Sequence, residues 1–323
     1  MLMDFTLDTF SGLVENALAS LEYPSVAPRL FDPIRYTLES GGKRIRPVLA
    51  VAVYSALAKA DPADALNQAV AIELFHNFTL LHDDVMDRAD IRRGRPTVHR
   101  KWNDNVAILS GDAMLTMATQ QLTRGAGDRL ADLLECFNTT AMEVYEGQQL
   151  DMEFENRDDV TIDEYLLMIG LKTSVLLGCA CRLGAIMARA DKAAADAFYR
   201  YGYSLGMAFQ LRDDWLDTFG DPAVFGKEIG GDIVNHKKTW LLISARNAEP
   251  EDLPAILAED LEPQETIAQV KALYERHHLG DLCQELALKY SAEAKMNLDN
   301  IDMDVEARLF FAGLADRAST RTH

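Results

Sequence analysis

Two short acidic clusters hold the residues of this chain that are best suited to do chemistry. They read DDVMD at residues 83–87 and DDWLD at residues 213–217, so each has the pattern D-D-x-x-D. Carboxylates four residues apart on a helix lie on one face, where their repulsion costs roughly a few tenths of a kcal/mol. A cation offsets this repulsion, and oxygen-only ligands favour a hard ion such as Mg²⁺ or Ca²⁺. Because Mg²⁺ commonly keeps part of its coordination shell for substrate phosphates, the motifs predict a metal and phosphate site.

Basic segments that contain glycine adjoin both motifs. RRGRP at 92–96 follows the first, Gly226-Lys227 and Lys237-Lys238 follow the second, and GGKRIRP lies upstream at 41–47. Arginine forks and lysine point charges suit phosphate groups. A solvated helix end is the simple explanation for either motif alone, since acidic four-residue patterns are common. Two motifs that each adjoin cations in glycine- and proline-shaped loops favour the metal and phosphate site instead.

The composition of the chain limits the possible classes of function. Of the 323 residues 48% are hydrophobic and 26% are charged, which is a globular balance with ample material for a core. The net charge of -19 disfavours nucleic acid and anionic membrane surfaces as partners. No signal peptide is predicted at the start, and the apolar stretch 165–190 is interrupted by three cations. These features favour a cytoplasmic protein without a transmembrane segment.

The cysteines have no spacing typical of a metal site or of a disulfide framework. They are predicted to be reduced thiols in the core: Cys136, Cys179, Cys181 and Cys283.

Hydrophobic residues recur with a period of 3.6 over most of the chain, which predicts an all-α protein. Helices are predicted, with boundaries good to about ±4 residues, over 5–21, 27–39, 44–60, 64–87, 104–124, 127–154, 161–188, 191–218, 235–246, 264–278 and 280–298. The polar stretch 251–263 is predicted to be a surface excursion. No linker separates the two motifs, so residues 1–323 are predicted to form a single domain.

Two helical stripes connect the motifs to further residues. At 100° per residue, the first stripe contains Ile72, His76, Thr79, Leu80, Asp83 and Asp87. The second contains Gly206, Gln210, Asp213 and Asp217. Because Gly206 has no side chain, a ligand channel is predicted below Gln210. A core histidine and a capping or core glutamine are the simple alternatives for His76 and Gln210, and their shared stripes with aspartates favour the site.

These segments, in this order, resemble the trans-isoprenyl diphosphate synthases of the polyprenyl synthetase family. The resemblance covers about two thirds of the chain and rests on GGKRIRP (41–47), FHNFTLLHDDVMDRADIRRGRPTVH (75–99), LKTS (171–174), GMAFQLRDDWLD (206–217) and GKEIGGDIVNHKKTW (226–240). It implies an isoprenoid-synthase-type all-α helical bundle around a deep central cavity. It also implies about three Mg²⁺ ions, bound by carboxylates together with substrate phosphates, and a homodimer.

The reaction implied by this resemblance begins when an allylic diphosphate ionises. The double bond of isopentenyl diphosphate then attacks the carbocation, and a proton is lost to the released diphosphate. Charge separation is the difficult step, so catalysis is expected to be electrostatic. Two readings from other classes stay open: a terpene cyclase and a non-catalytic subunit of a hetero-oligomeric synthase. A simple acidic buffer of divalent ions is a further reading, but it leaves the cations unexplained.

The resemblance also implies roles for individual residues. The implied metal ligands are Asp83, Asp87 and Asp213, with support from Asp84 and Asp217. The implied contacts of the allylic diphosphate are Arg92, Lys172, Lys227 and Lys237. The implied contacts of isopentenyl diphosphate are Lys43, Arg46, His76 and Arg93. Thr173 and Gln210 are expected to offer oxygen dipoles to the developing cation, and Gln148 and Asp151 are expected to line the site.

Product length is expected to depend on side chains below the first motif, since each residue back along the helix lowers the cavity floor by about 1.5 Å. In the family the fifth position before the first aspartate is a common floor, and here it is Phe78. Thr79 points more directly along the stripe than Phe78 does. Phe75, one turn lower, forms a second possible floor. The first motif also has only two residues between its aspartate groups, without the two-residue insertion of the usual bacterial farnesyl enzymes. Together these features resemble the short-chain geranylgeranyl synthases, which predicts a C20 product, followed by C15.

Two further expectations concern the termini and the assembly. The chain ends with STRTH at 319–323, which lacks a clear basic tail, so the C-terminus is not expected to close the site. Helical faces in 104–124 and 127–154 are expected to supply a dimer interface.

Overall fold

The computed structural model describes residues 4–221 and 229–322, and most of these residues are helical. The helices of the first part are α1 Leu7–Ala19, α2 Pro28–Leu38, α3 Ile45–Ala58, α4 Leu66–Met86, α5 Val98–Lys101, α6 Asp104–Thr123 and α7 Leu130–Glu155. The helices that follow are α8 Ile162–Ile169, α9 Val175–Met187, α10 Lys192–Phe219, α11 Gly231–Val234, α12 Trp240–Ala248, α13 Asp252–Ala258, α14 Pro263–Arg276, α15 Leu279–Met296 and α16 Val305–Thr320. The all-α prediction is confirmed.

Contacts within the chain define two compact units. The first contains Met1–Phe137, Ala180–Asp196 and Asp302–Phe310, and the second contains Asn138–Cys179, Ala197–Ile301 and Phe311–His323. The first DDxxD motif belongs to the first unit and the second motif to the second unit. A single domain over residues 1–323 stays a prediction.

In the first unit, α4 carries the first motif at its C-terminal end and packs closely against α6. A Cβ atom added to Gly111 of α6 would lie 2.2 Å from Nε2 of His82, so a larger residue there would displace the imidazole. The helix then ends in a left-handed residue, Arg88, with φ of 53°. The N–H of Ala89 donates to the carbonyl of Asp84 at 3.0 Å, which closes a Schellman motif. The motif is thereby fixed at a helix terminus.

A short antiparallel hairpin follows this helix end, and the sequence pattern did not predict it. Strand β1 is Ile91–Arg92, strand β2 is Arg95–Pro96, and Arg92 pairs with Arg95. The two connecting residues, Arg93 and Gly94, have φ of 52° and 71°. Positive φ at both central residues is the requirement of a type I′ turn, whose twist matches that of the paired strands.

In the second unit, a π-helical turn, Gly170–Ser174, joins α8 to the start of α9, so the predicted helix 161–188 is continuous but contains one irregular turn. A Cβ at Gly147 of α7 would lie 2.3 Å from the backbone nitrogen of Lys172. A Cβ at Gly206 of α10 would lie 2.6 Å from Cα of Ser174. The turn is therefore held between two backbones, and single π turns inside helices frequently occur at functional sites.

This packing corrects the reading of Gly206 as the bare wall of a ligand channel. The space above Gly206 is filled by Ser174, whose Oγ atom would lie 2.8 Å from an added Cβ. A glycine on a helix face serves close helix packing as readily as ligand access, and periodicity alone does not separate the two.

Other boundaries also differ from the sequence predictions. The segment 251–263 is not only a surface excursion, because it contains α13, whose Leu253 is 1% exposed in the core of the second unit. Helix α12 begins at Trp240, whereas the predicted block began at 235, and α11 precedes it. The helix α16 was not predicted at all.

The predictions about the cysteines and about the most apolar stretch are confirmed. All four cysteines are buried and free. The segment Ile162–Met187 is long and apolar enough to cross a membrane, but 67% of its most apolar window is buried inside the structure. It is therefore a core helix of the kind found in soluble proteins.

We expect Gly147→Ala to lower the free energy of unfolding by about 3 kcal/mol, because the new methyl group meets backbone atoms that cannot rotate away. Gly313→Ala in α16 is the matched control. Its Cβ would meet open space, so removing a helical glycine should stabilise the protein by about 0.5–1 kcal/mol. Urea unfolding of both variants measures the difference. Equal stability of Gly147→Ala and the wild type would refute the close approach of α7 to the π turn.

Candidate active site

The first DDxxD motif is paired with an arginine of the hairpin. Nε of Arg92 donates to Oδ1 of Asp84 at 2.6 Å, and its Nη2 lies 3.8 Å from Oδ2 of Asp83. Asp84 is 5% exposed, and burial raises its pKa while Arg92 lowers it. Asp87 is the exposed C-cap of α4. The carboxylates of this motif thus already have a positively charged partner from the protein.

A second group of cations lies beside the same helix, around Arg46. Nη1 of Arg46 lies 3.2 Å from Nε2 of His76. Nη1 of Arg93 donates to the carbonyl of Gly41, and a Cβ at Gly42 would lie 3.0 Å from Nη2 of Arg93. Nε of Arg46 is buried, and no hydrogen-bond acceptor among residues 4–221 and 229–322 reaches it. An unsatisfied buried guanidinium N–H, next to further cations, fits an anionic ligand.

The pKa shifts in this cluster report accumulated positive charge. Burial, against the opposing effect of Glu73 and with a smaller contribution from Arg93, lowers the pKa of Arg46 to about 10. Burial, followed by Arg46 and Arg93, lowers the pKa of His76 well below its usual value of 6.5, so the imidazole is neutral at pH 7. A bound anion would raise both pKa values again, because it stabilises the positively charged forms of Arg46 and His76. Lys43, at the start of the same basic run, is exposed.

Arg44 fixes the loop that carries these cations, and the sequence pattern did not single it out. It is 4% exposed and has a left-handed φ of 49°. Its guanidinium donates to Oε1 of Glu73 at 2.6 Å, to Oε1 of Glu15 at 2.7 Å and to the carbonyl of Leu38 at 2.6 Å. In the basic run KRIR at 43–46, the residue types alone do not distinguish Arg44, which faces inward, from Lys43 and Arg46, which were predicted to bind a ligand.

In the second motif, Asp213 is paired with an arginine from the C-terminus. Nη2 of Arg321 forms an ion pair with Oδ1 of Asp213. The guanidinium carbon lies 3.7 Å from the centre of the Phe209 ring. Asp217, one turn later, accepts a hydrogen bond from the backbone N–H of Asp232 at Oδ2, at 2.9 Å. The two carboxylates therefore differ in their partners.

The C-terminus reaches this motif, although its sequence offered no reason to expect that it closes the site. Nε of Arg212 donates to the carbonyl of Arg321 at 2.9 Å, and Nε2 of Gln284 donates to the carbonyl of Ser319 at 2.8 Å. These bonds hold the end of α16 against α10. One arginine, Arg321, is enough to bring the C-terminus into contact with the motif. The lack of a basic run at 319–323 therefore did not indicate whether the tail would reach it.

The π turn presents two of the predicted residues. Nζ of Lys172 donates to Oδ2 of Asp151 at 2.5 Å, and the hydroxyl of Thr173 donates to Oε1 of Gln210 at 3.2 Å. Gln148 lies half-buried on α7, beside the close contact at Gly147. These residues are brought together in the second unit as the sequence analysis predicted, but their roles stay predictions.

Asp214, the middle aspartate of the second motif, has surroundings unlike those of Asp213. It is 3% exposed, its Oδ2 accepts a hydrogen bond from the hydroxyl of Tyr165, and its Oδ1 accepts one from Nε2 of Gln210 at 3.0 Å. Burial raises the pKa of Asp214 to about 7, and Lys237 lowers it. Nζ of Lys237 lies 3.5 Å from Oδ1 of Asp232. Tyr165, 49 residues earlier in the chain, had no sequence signal that connected it to the motif.

Three residues were predicted to set product length, and two of them are buried aromatics of α4. The ring of Phe78 lies 5.6 Å from that of Phe75 and 4.8 Å from that of His82, and Phe78 is 6% exposed. Thr79 is half-buried, and its hydroxyl donates to the carbonyl of His76 at 2.8 Å. Thr79 thus lies on the His76 side of the helix, while Phe78 packs on the His82 side. Lys227 lies outside the described residues.

The carboxylates of both motifs fit a hard divalent cation, because they offer only oxygen donors and already pair with positively charged arginine side chains. Each motif holds a protein cation where positive charge is needed, Arg92 in the first and Arg321 in the second. Within the described part of the chain, no three acidic, histidine or cysteine side chains converge on one point as a complete metal site.

We expect Arg321→Gln to increase the affinity of the substrate-free protein for divalent cations about fivefold, because the pairing of Asp213 with the guanidinium no longer competes. Arg317→Gln is the matched control, since Arg317 is exposed one turn earlier on α16 and the change in charge is the same. Titration of free Mn²⁺ by electron paramagnetic resonance measures the affinities. Identical curves for both variants and the wild type would contradict a competition at Asp213.

Comparison with known proteins agrees with this geometry. The model of the polyprenyl synthetase family matches residues 27–276. A geranylgeranyl diphosphate synthase of Methanosarcina mazei is 36% identical over 97% of this chain and 96% of the relative. A geranylfarnesyl diphosphate synthase of Natronomonas pharaonis is 35% identical over 96% of this chain and 95% of the relative.

Solved structures give the same result. The crystal structure of a geranylgeranyl pyrophosphate synthetase from Pyrococcus horikoshii has a TM-score of 0.91 with 32% identity, and the match covers 98% of this chain and 97% of that one. Another geranylgeranyl pyrophosphate synthase has a TM-score of 0.93 with 41% identity, over 98% of this chain and 99% of that one. The chain therefore belongs to the polyprenyl synthetase family and is a transferase of the prenyl diphosphate synthase type.

Proposed function

We propose that this protein is a Mg²⁺-dependent prenyltransferase that condenses isopentenyl diphosphate with allylic diphosphates in the trans, head-to-tail manner. The observation that carries the proposal is the cation cluster around Arg46, which consists of residues other than the motif carboxylates and holds a buried N–H without an acceptor among the described residues. A chain that only ionised one diphosphate would have no use for a second anion site. Condensation of two diphosphates requires one.

The carboxylates are proposed to bind the allylic substrate through metal ions. Asp83, Asp87 and Asp213 are the main ligands in this proposal, and Asp84 and Asp217 support them. Mg²⁺, with about three ions, would neutralise the diphosphate as it leaves. Arg92, Lys172, Lys227 and Lys237 are proposed to bind the same diphosphate. Arg92 would exchange its pairing with Asp84, now 2.6 Å long, for the substrate.

The acceptor substrate is proposed to bind at the cluster around Arg46. Arg46 and Arg93 supply guanidinium forks and Lys43 supplies an ammonium group, which match the geometry and the charge of a diphosphate. His76 is neutral at pH 7, so it contributes a hydrogen bond and not a charge. Because these groups lie in the first unit and are not the groups proposed for the allylic diphosphate, each substrate has its own recognition residues.

Stabilisation of the carbocation is assigned to oxygen dipoles from the second unit. Thr173 and Gln210 are hydrogen-bonded to each other at 3.2 Å, so their orientations are fixed before the reaction. Dipoles that are fixed in advance cost no reorganisation when charge develops, which makes them effective in catalysis. Gln148 and Asp151 are proposed to line the same site, with Asp151 holding the side chain of Lys172 in place.

The proposed product is geranylgeranyl diphosphate, C20, and farnesyl diphosphate, C15, comes next. The relative from Methanosarcina mazei carries the C20 name, and the one from Natronomonas pharaonis carries a C25 name. Phe78 at the fifth position before the motif is the aromatic side chain proposed to stop elongation. None of the relatives named above is a terpene cyclase or a non-catalytic subunit.

We further propose a cytoplasmic homodimer. Helix α6 exposes two large apolar side chains on adjacent positions, Ile108 at 45% and Leu109 at 59%. Burying them against a second copy removes apolar surface from water. Sedimentation velocity at micromolar concentration tests the proposal, and a species of 36 kDa alone would refute it.

The catalytic proposal is tested by incubating the protein with isopentenyl diphosphate and, separately, dimethylallyl, geranyl and farnesyl diphosphates, with and without Mg²⁺. We expect prenyl diphosphates by mass spectrometry only when Mg²⁺ is present. Arg46→Gln should raise KM for isopentenyl diphosphate by more than about tenfold, because each charge-assisted hydrogen bond contributes about 1.5–3 kcal/mol. The exposed Arg317 supplies the control variant Arg317→Gln, which should leave KM unchanged. Unreacted primers would exclude the synthase activity, and cyclised hydrocarbons would indicate a cyclase.

Product length is tested by Phe78→Ala, which removes the proposed floor and should lengthen the main product by at least one five-carbon unit. Since Phe78 also packs against His82 and Phe75, we expect a loss of about 3–5 kcal/mol in stability, so the assay is run well below the unfolding temperature. Thr79→Phe is the companion variant, because a bulky group on the His76 side should shorten the product. If Phe78→Ala leaves product length unchanged while Thr79→Phe changes it, the floor lies on the stripe and not at Phe78.

A further inference from the structure

The middle aspartate of the second motif serves a different purpose from its neighbours. We propose that Asp214 and Tyr165 are positioning residues, which fix the side-chain amide of Gln210 with its carbonyl oxygen directed toward Thr173. This inference rests on the proposed function, because it concerns how that oxygen is presented to the developing carbocation.

Asp214 is enclosed by the protein. It is 3% exposed, whereas the side chain of Asp213 is 36% exposed. Both carboxylate oxygens accept hydrogen bonds, Oδ2 from the hydroxyl of Tyr165 and Oδ1 from Nε2 of Gln210. The angular spacing on α10 agrees, since Asp214 lies about 100° from Asp213 but only about 40° from Gln210. Its oxygens are directed into the protein.

The direction of the Gln210 amide follows from these bonds. A glutamine side chain has an NH₂ group that only donates and a carbonyl oxygen that only accepts. Because the Tyr165 hydroxyl donates to Asp214, the other oxygen of the carboxylate is left as an acceptor, and it requires the NH₂ end of Gln210 at 3.0 Å. The carbonyl oxygen of Gln210 therefore points the other way, where it accepts a hydrogen bond from Thr173 at 3.2 Å.

The resulting chain of hydrogen bonds ties α10 to both ends of the π turn. Tyr165 lies in α8 just before Gly170–Ser174, and Thr173 lies within that turn. Gln210 and Asp214 are four residues apart on α10 and so face each other along one side of the helix. The order is Tyr165, Asp214, Gln210, Thr173, and every link is made inside the second unit. Such a network is rigid only while each member keeps its partner.

The orientation matters because the two ends of the amide have opposite partial charges. With the carbonyl oxygen presented, the amide dipole stabilises a developing positive charge, and with the NH₂ group presented it opposes the same charge. Removing the Tyr165 hydroxyl frees one oxygen of Asp214. The carboxylate can then rotate, and the amide loses the contact that excludes the reversed orientation.

The test compares Tyr165→Phe with Tyr201→Phe, which differ from the wild type by the same hydroxyl group. Both tyrosines are buried in the second unit, and the Tyr201 hydroxyl donates to the carbonyl of Phe311 at 2.8 Å, within the core. For Tyr165→Phe we expect kcat to fall about tenfold while KM for isopentenyl diphosphate is unchanged. For Tyr201→Phe we expect an unchanged kcat with a comparable loss of stability.

A binding measurement separates orientation from general damage. An ammonium analogue, in which a charged nitrogen replaces the carbocation centre of the allylic diphosphate, should bind Tyr165→Phe about tenfold more weakly than the wild type. A thiolodiphosphate analogue of the same length, which lacks the positively charged nitrogen, should bind both equally. Asp214→Asn, whose amide can donate to Gln210 and so permits the reversed orientation, should behave as Tyr165→Phe does.

The outcomes distinguish this inference from the proposed function. A wild-type protein that makes no prenyl diphosphate would overturn the function itself. A wild-type protein that is active, together with equal kcat and equal affinity for the ammonium analogue in Tyr165→Phe and Tyr201→Phe, would overturn the positioning role alone.

Discussion

Charges of the same sign are held close together in this protein, and much of its structure follows from that constraint. Carboxylates repel one another at the ends of two helices, and Arg46 and Arg93 lie together around a neutral histidine. Folding tolerates such clusters only when each charge has a partner or stays near water. Arg92 covers Asp84, Arg321 covers Asp213, and Glu73 with Glu15 covers Arg44. The protein thus folds with its own counter-charges in the positions that ligands are proposed to occupy.

Unusual backbone geometry keeps these charged groups in place. Arg44, Arg88 and Arg93 all have positive φ, which is uncommon for residues other than glycine. Each occurs at a junction where a regular helix or strand would carry the chain away from the site. The π turn at Gly170–Ser174 serves the same purpose in the second unit. Strained or irregular backbone of this kind persists only where the surrounding packing enforces it, and here glycines at close contacts provide that packing.

Sequence reasoning identified the residue types and the helices better than it identified the partners. The spacing of the aspartates placed both motifs on helices, and the stripe that contained Asp213 left out Asp214. Tyr165 could not be connected to Asp214, because a separation of 49 residues along the chain leaves no periodic signal. Gly206 was misread since a bare helix face does not reveal whether a ligand or another helix covers it. Helix α16 had a usable signal in the apolar spacing of Ala307, Phe310, Phe311 and Leu314, all of which are buried.

The burial of every cysteine has a practical consequence for spectroscopy. Because Cys136, Cys179, Cys181 and Cys283 are enclosed in the core, none of them presents a sulfur to bulky maleimide or nitroxide reagents in the folded protein. Burial raises the thiol pKa of Cys181 and Cys283 far above neutrality, which suppresses the reactive thiolate as well. A cysteine introduced on the surface would therefore be the preferred site of labelling without removal of the native ones. Pairs of such labels, one in each compact unit, would report distances between the units as substrates and metal ions bind.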